Sequence, residues 1–254
     1  MITIQPFRTR RIDARMQELS IGDEIALCDM PERFHEKSLT EFLVRAIETV
    51  GTPSEKHEAD PRRWTVSERL FALAHYCLHV RADGPNWQVT ETSRLADYLD
   101  TSRELPEAPL TFEALGDTWH LQPLIGAAAE AIEANQLEAR ELKEHTYWLF
   151  ACMAARLTRP KDAIVDPITD SAAYMEWLRA RINELRSLAG SEFERLHAAY
   201  VEAHERSTHF LRTWHDAEGV IVLPKEAGGI APPARFRVLG AVGPFALRAS
   251  GKSQ

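Results

Sequence analysis

The sequence predicts a mainly α-helical protein: a multi-helix domain with one small β-hairpin, a long helical hairpin, and a Gly/Pro-rich carboxyl-terminal arm of extended or small β structure. Three features lead there. Apolar residues recur at helical spacing in segment after segment up to about residue 217. Capping tetrads of the Ser/Thr-x-x-Glu type open several of those segments. After residue 218 the helical period stops, and residues 219–254 hold six of the twelve glycines and four of the fourteen prolines. The implied division is a helical domain over 1–160, a helical hairpin over 170–217 and an arm over 219–254.

In chain order, Ile2 and Ile4 alternate with Thr3 and Gln5, which predicts a short strand ending at Pro6. Ser20 can cap a helix with Asp23 in its first turn, and Ile21, Ile25 and Cys28 share one face until Met30-Pro31 stops it. Ser38-Leu39-Thr40-Glu41 has the capping-box pattern and leads Phe42, Leu43, Ala46, Ile47 and Val50 into Gly51. Residues 52–63 are polar and hold two prolines, so an exposed loop is expected. Thr65-Val66-Ser67-Glu68 opens a helix to about Ala82 whose apolar arc is so wide that it should be the most buried of its half.

Over 110–122 the period changes to two, predicting a hairpin about Gly116-Asp117. Helices follow over Ile125 to Ala134 and Leu137 to about Leu157. Asp170 can cap 171–189, and Ser191-Glu192-Phe193-Glu194 reads as a third capping box opening a helix from 192 to about 216. Beyond it, Val220–Leu223, Phe236–Leu239 and Phe245–Leu247 are apolar runs separated by breakers. Such a segment lacks the area for a core of its own, so a small β-meander or an arm that orders on a neighbour is expected.

Composition narrows the function classes. With 44% hydrophobic and 27% charged residues, the 254-residue chain has the make-up of a folded protein. A net charge of −8 opposes phosphate binding, and Arg8, Arg10, Arg11 and Arg15 form only a short basic patch, read as a solvated helix entrance. No run approaches the roughly 18 apolar residues of a membrane span. Cys28, Cys77 and Cys152 are odd in number and sit in apolar surroundings, as reduced buried thiols do.

No segment declares a catalytic motif: there is no Gly-x-Ser-x-Gly elbow, Walker loop or Gly-x-Gly-x-x-Gly. His75 and His79 stand at i,i+4, the spacing that zinc sites use, but position 76 is Tyr where a metalloprotease helix carries Glu. Glu194-Arg-Leu-His197 matches the Glu-x-x-His of di-iron bundles without a second copy. His197, His204, His209 and His215 lie among charged residues and are expected on a solvated helix face. No cofactor and no enzymatic role is expected. The residues expected at an interface are Trp87 and Trp214, aromatics at element ends, with Val220, Ile221, Val222, Phe236, Val238 and Phe245 from the arm.

Three stretches also carry a likeness. Glu18–Cys28 together with Glu36–Leu43 resembles the opening of small tail proteins of tailed bacteriophages and prophages. Trp64–Tyr76 resembles their central helix. Gly116–Gly126, followed by an Ala/Glu-rich helix, is similar to the strand-and-helix unit of tail-assembly and baseplate proteins of contractile-tailed phages. All lie within about residues 1–157. The resemblance implies a virion tail or baseplate component, or an assembly chaperone that stays out of the particle. It further implies synthesis in the host cytoplasm and, for a structural part, residence in the virion tail. Partners would be other tail or baseplate proteins, with neither nucleic acid nor membrane and with room for self-association. A cytosolic metal-dependent enzyme using His75 and His79 is the rival class.

Overall fold

Phe7–Arg8 (β1) folds back on Asp13–Met16 (β2), and β2 pairs with Ile47–Val50 (β3), so the chain opens with a three-stranded antiparallel sheet. The structure is a computed structural model describing residues 2–50, 57–136, 142–226 and 228–252. Between β2 and β3 lie two helices, Ile21–Cys28 (α1) and His35–Ala46 (α2). Val66–Val80 (α3) follows, then the short strands Gln88–Thr90 (β4), Ser93–Arg94 (β5) and Leu99–Asp100 (β6). Leu110–Ala114 (β7) and Asp117–Leu121 (β8) form a hairpin, followed by Gly126–Gln136 (α4), Glu144–Arg156 (α5) and Leu157–Thr158 (β9). Ser171–Arg186 (α6), Gly190–Arg206 (α7), Phe210–Asp216 (β10), Gly219–Leu223 (β11) and Pro244–Ala249 (α8) complete the chain.

Among the described residues 45% are helical and 18% are in strands, arranged as eight helices and four small sheets. The fold is therefore mixed α/β, and the mainly α expectation is corrected. Seven of the eleven strands among the described residues have only two to four residues, too short to set up an alternation that a sequence window registers. The arginine patch read as a helix entrance is in fact the β1–β2 hairpin. The strand expected over 2–5 is absent, and pairing begins only after Pro6.

The largest revision is at 207–216. There α7 stops at Arg206 and the chain becomes β10, which pairs with β11 on one side and β6 on the other. Phe210 takes a left-handed backbone, φ +54°, while its ring stacks on Phe71 at 4.6 Å. That conformation is costly for an aromatic residue and no helix accommodates it.

Caps are legible where they are local. Ser20 and Asp23 cap α1 reciprocally, Thr65 and Glu68 do the same for α3, and the Asp170 carboxylate accepts from Ala173 N at 2.9 Å to cap α6. The box expected at Ser38 is not one, because α2 begins at His35. Its first amides are met by Glu133 of α4, which accepts from Glu36 N at 2.9 Å and Lys37 N at 3.2 Å. A cap supplied from 97 residues away leaves no local trace. The α7 helix starts at Gly190, and Glu192, not Glu194, is its capping acid.

The expected hairpin is present with its two-residue loop at Leu115-Gly116, one position before the expected Gly116-Asp117; both residues have positive φ, as a type I′ turn requires. Part of the loop expected over 52–63 and the start of the helix expected from 137 lie outside the described residues. One cluster of buried residues runs from Ile4 to Leu247 and draws on all three expected segments. No helix among the described residues is long and apolar enough to cross a membrane.

Candidate functional site

The amino-terminal end of α3, the carboxyl-terminal end of α5, and α7 converge with β10 around a cavity of about 610 Å³. The segment 105–109, Leu-Pro-Glu-Ala-Pro, rims it, and Leu110, Leu121, Leu124 and Val220 supply apolar wall. At its polar side lies Arg156, the last residue of α5 and only 5% exposed. The guanidinium donates to Gln122 O at 2.9 Å, to the Ser207 hydroxyl at 3.2 Å, to the Tyr200 hydroxyl at 3.5 Å and to His204 Nδ1. All four acceptors are uncharged, and among the described residues no carboxylate forms an ion pair with Arg156.

The hydrogen bonds set the ring states. His204 Nε2 donates to Thr213 O at 2.7 Å, which leaves Nδ1 as the lone pair that accepts from Arg156. Burial, then the Arg156 charge, pushes this imidazole down to about 3, so it is neutral. His209 Nδ1 donates to Ser207 O at 3.0 Å, and its Nε2 accepts from the Thr65 hydroxyl at 2.7 Å. Burial holds it down at about 4. His215 differs. It is 4% exposed, lines the same cavity, and neither ring nitrogen meets a hydrogen-bond partner. Burial, then His145, brings it to about 4.

The expectation for these histidines is a solvated helix face. The actual path of the chain at 207–216 carries His209 and His215 inward instead, while His197 stays half-buried beside Phe193. The mouth carries charge: Arg10 bonds the exposed Glu107 at 3.1 Å, and Arg11 stands 3.7 Å from the buried Glu68.

Chemically the arrangement can hold a ligand. Burial pushes the Cys152 thiol up to about 12, far from a reactive thiolate. The Ser67 and Ser207 hydroxyls donate to the carbonyls of Leu211 and His204. The Thr65–His209 pair is committed to capping α3. What remains is a buried cation, hydroxyls and neutral imidazoles around an apolar chamber, the make-up of an anion-binding site.

His75 and His79 stand on α3 with ring centroids 4.6 Å apart. One nitrogen of each faces a carbonyl, Gln5 O and His75 O, both at 2.8 Å. Among the described residues no group of three His, Cys, Asp or Glu side chains is placed to hold an ion. Glu194 is exposed. Of the residues expected at an interface, Trp87, Val220, Val222, Phe236 and Val238 are buried within the chain, Trp214 and Ile221 are half-buried, and Phe245 is 62% exposed. Trp87 packs on Phe236 at 5.5 Å, so the arm covers part of the body. All three cysteines are buried and unpaired.

Sequence reasoning does not single out Arg156. The one signal it leaves is a charge closing a run of apolar residues, Phe150 to Ala155, where an apolar face continues into Leu157.

No known protein family matches the chain, and neither a curated protein nor a solved structure matches it.

Proposed function

We propose that the chain is a structural or assembly component of the tail or baseplate of a tailed bacteriophage or prophage, acting by docking to other tail proteins. One observation supports this reading above the rest: the stretches that carry the likeness, scattered over more than a hundred residues, meet in space. Leu19 N donates to the Tyr76 hydroxyl at 3.0 Å, and Phe42 packs edge-on against that ring at 5.1 Å. Arg69 reaches Glu36 and Thr40 at 3.1 and 2.6 Å. Val66 N donates to Leu124 O and Gly126 N to Trp64 O, each at 2.9 Å. Together these contacts make one packed unit of the kind that a docking component presents to its neighbours.

Docking needs an exposed face. Ile21, Val44 and Phe245 are 50%, 61% and 62% exposed, and they stand on α1, α2 and α8, three helices in which α1 packs against both of the others. An Arg45–Asp23 ion pair at 3.5 Å joins α2 to α1, and Gly243 N, just before α8, bonds Glu24 of α1 at 3.1 Å. In this reading these exposed apolar side chains are covered by another tail protein.

The test is deletion of the gene from its phage or prophage with complementation in trans. Defective tails by electron microscopy, restored by the wild-type chain, are expected, and intact infectious particles without it overturn the reading. Mass spectrometry of purified particles separates a resident part from a chaperone that leaves. Phe245→Glu should fail to complement while changing unfolding stability by no more than about 0.5 kcal/mol. Full complementation removes this face from the proposal.

A further inference from the structure

The positive charge lining the cavity is unevenly answered. Of the three arginines that line it, Arg10 pairs with Glu107 at 3.1 Å and Glu104 at 3.9 Å and Arg11 with Glu68 at 3.7 Å, so Arg156 is, among the described residues, the cation without a carboxylate. A guanidinium has five N–H donors, and the four bonds of Arg156 all go to neutral atoms that fix its plane without cancelling its charge. Withdrawing a cation from water without an anion beside it is costly, and folded chains normally place a carboxylate there. The chain does so elsewhere, where Glu36 meets Arg69 at 3.1 Å.

A second feature points the same way. His215 is buried in the same wall with both ring nitrogens closed off from solvent and unpartnered, so this side of the chamber holds polar groups that the chain itself does not satisfy. The volume of about 610 Å³ lies within the roughly 300–1,000 Å³ of small-molecule sites, and the Leu and Val wall suits an apolar body.

We infer that this cavity binds a small organic anion, with a carboxylate or phosphate head against Arg156 and an apolar body along Leu110, Leu121, Leu124 and Val220. The acidic chain supplies no head of its own: Glu68 is occupied by the α3 cap and Glu107 by Arg10. The head lies beside the Tyr200 and Ser207 hydroxyls that already bond Arg156. The inference is independent of the tail reading, since either can fail while the other stands.

Isothermal titration of the purified full-length chain tests it, with octanoate and phenyl phosphate as anionic probes and octanol and benzyl alcohol as neutral counterparts. At least one anion should bind one-to-one and at least tenfold more tightly than its neutral counterpart; which anion binds identifies the head. Arg156→Gln should cost the anion at least tenfold and leave the alcohol unchanged. Because Arg156 also braces its surroundings, Val220→Phe is the companion variant: it loses no side-chain hydrogen bond, narrows the chamber and should weaken the anion at least tenfold in a protein that still unfolds cooperatively. Equal binding of anion and alcohol, no anion binding to the wild type, or unchanged binding in Val220→Phe overturns the inference.

Discussion

Arg69 and Arg156 are both buried on helices that share one core, yet their surroundings are opposite. Arg69 is fully buried, and its guanidinium reaches the Glu36 carboxylate at 3.1 Å, the Glu36 carbonyl at 2.7 Å and the Thr40 hydroxyl at 2.6 Å, with Glu130 at 3.7 Å. The fit is closed, since a Cβ at Gly126 would collide with the guanidinium. Arg156 has neutral partners and a chamber beside it. A charge answered inside a packed site braces the fold, here tying α3 to α2. A charge left unanswered beside open space keeps its field for something that arrives.

The largest effect that could break this contrast is on stability. Arg69→Met leaves the Glu36 carboxylate, 3% exposed, buried without its cation, and should cost about 3–5 kcal/mol in urea unfolding. Arg156→Met strands neutral acceptors but no opposite charge, so it should cost about 1–3 kcal/mol. If Arg156→Met proves the more damaging, Arg156 is a structural brace like Arg69 and the contrast fails.

How far each region is legible in the sequence follows from how local its interactions are. Thr65 and Glu68 are three residues apart, so the α3 cap is readable, as are the burial of α3 and the β7–β8 hairpin. Glu36 and Arg69 are 33 residues apart and Glu133 caps α2 across 97, so nothing near either residue announces the brace. The cavity is hidden for a further reason. Its histidines read as one solvated helix face, because the charged sequence around 192–206 continues a helical pattern past Arg206. Only the left-handed turn at Phe210 and the pairing of β10 with β6 and β11 send His209 and His215 inward. Most of the strands are too short to show their period, and three of the seven pairings among the described residues, β2–β3, β6–β10 and β8–β9, join segments distant in the chain, which is why a sequence window understates the strand content.

The smallest effect at neutral pH gives the sharpest contrast on titration, because the two regions respond in opposite directions. At the brace, burial and then Glu36 raise Glu133 from 4.5 to about 7. The folded state therefore favours its protonated form, a contribution fully present below the ordinary carboxyl value and lost as pH rises through about 7. At the cavity, burial lowers His209 and His215 from 6.5 to about 4, and His204 to about 3. The folded state favours the neutral rings, a contribution present above 6.5 and lost as pH falls through about 4. His215→Phe isolates one such group, for His215 has no hydrogen bond to lose and phenyl is close to imidazole in shape. Near pH 7 the variant should be no less stable than the wild type, since it removes two buried and unpartnered ring nitrogens. On acidification its advantage should grow by roughly a further 2–3 kcal/mol down to about pH 4, since each tenfold loss of proton affinity on folding is worth about 1.4 kcal/mol. Urea midpoints taken at stepped pH between those limits read the divergence directly. Parallel acid limbs would mean that His215 charges freely in the folded chain, and the cavity wall would then be wet and basic instead of neutral and waiting for an anion.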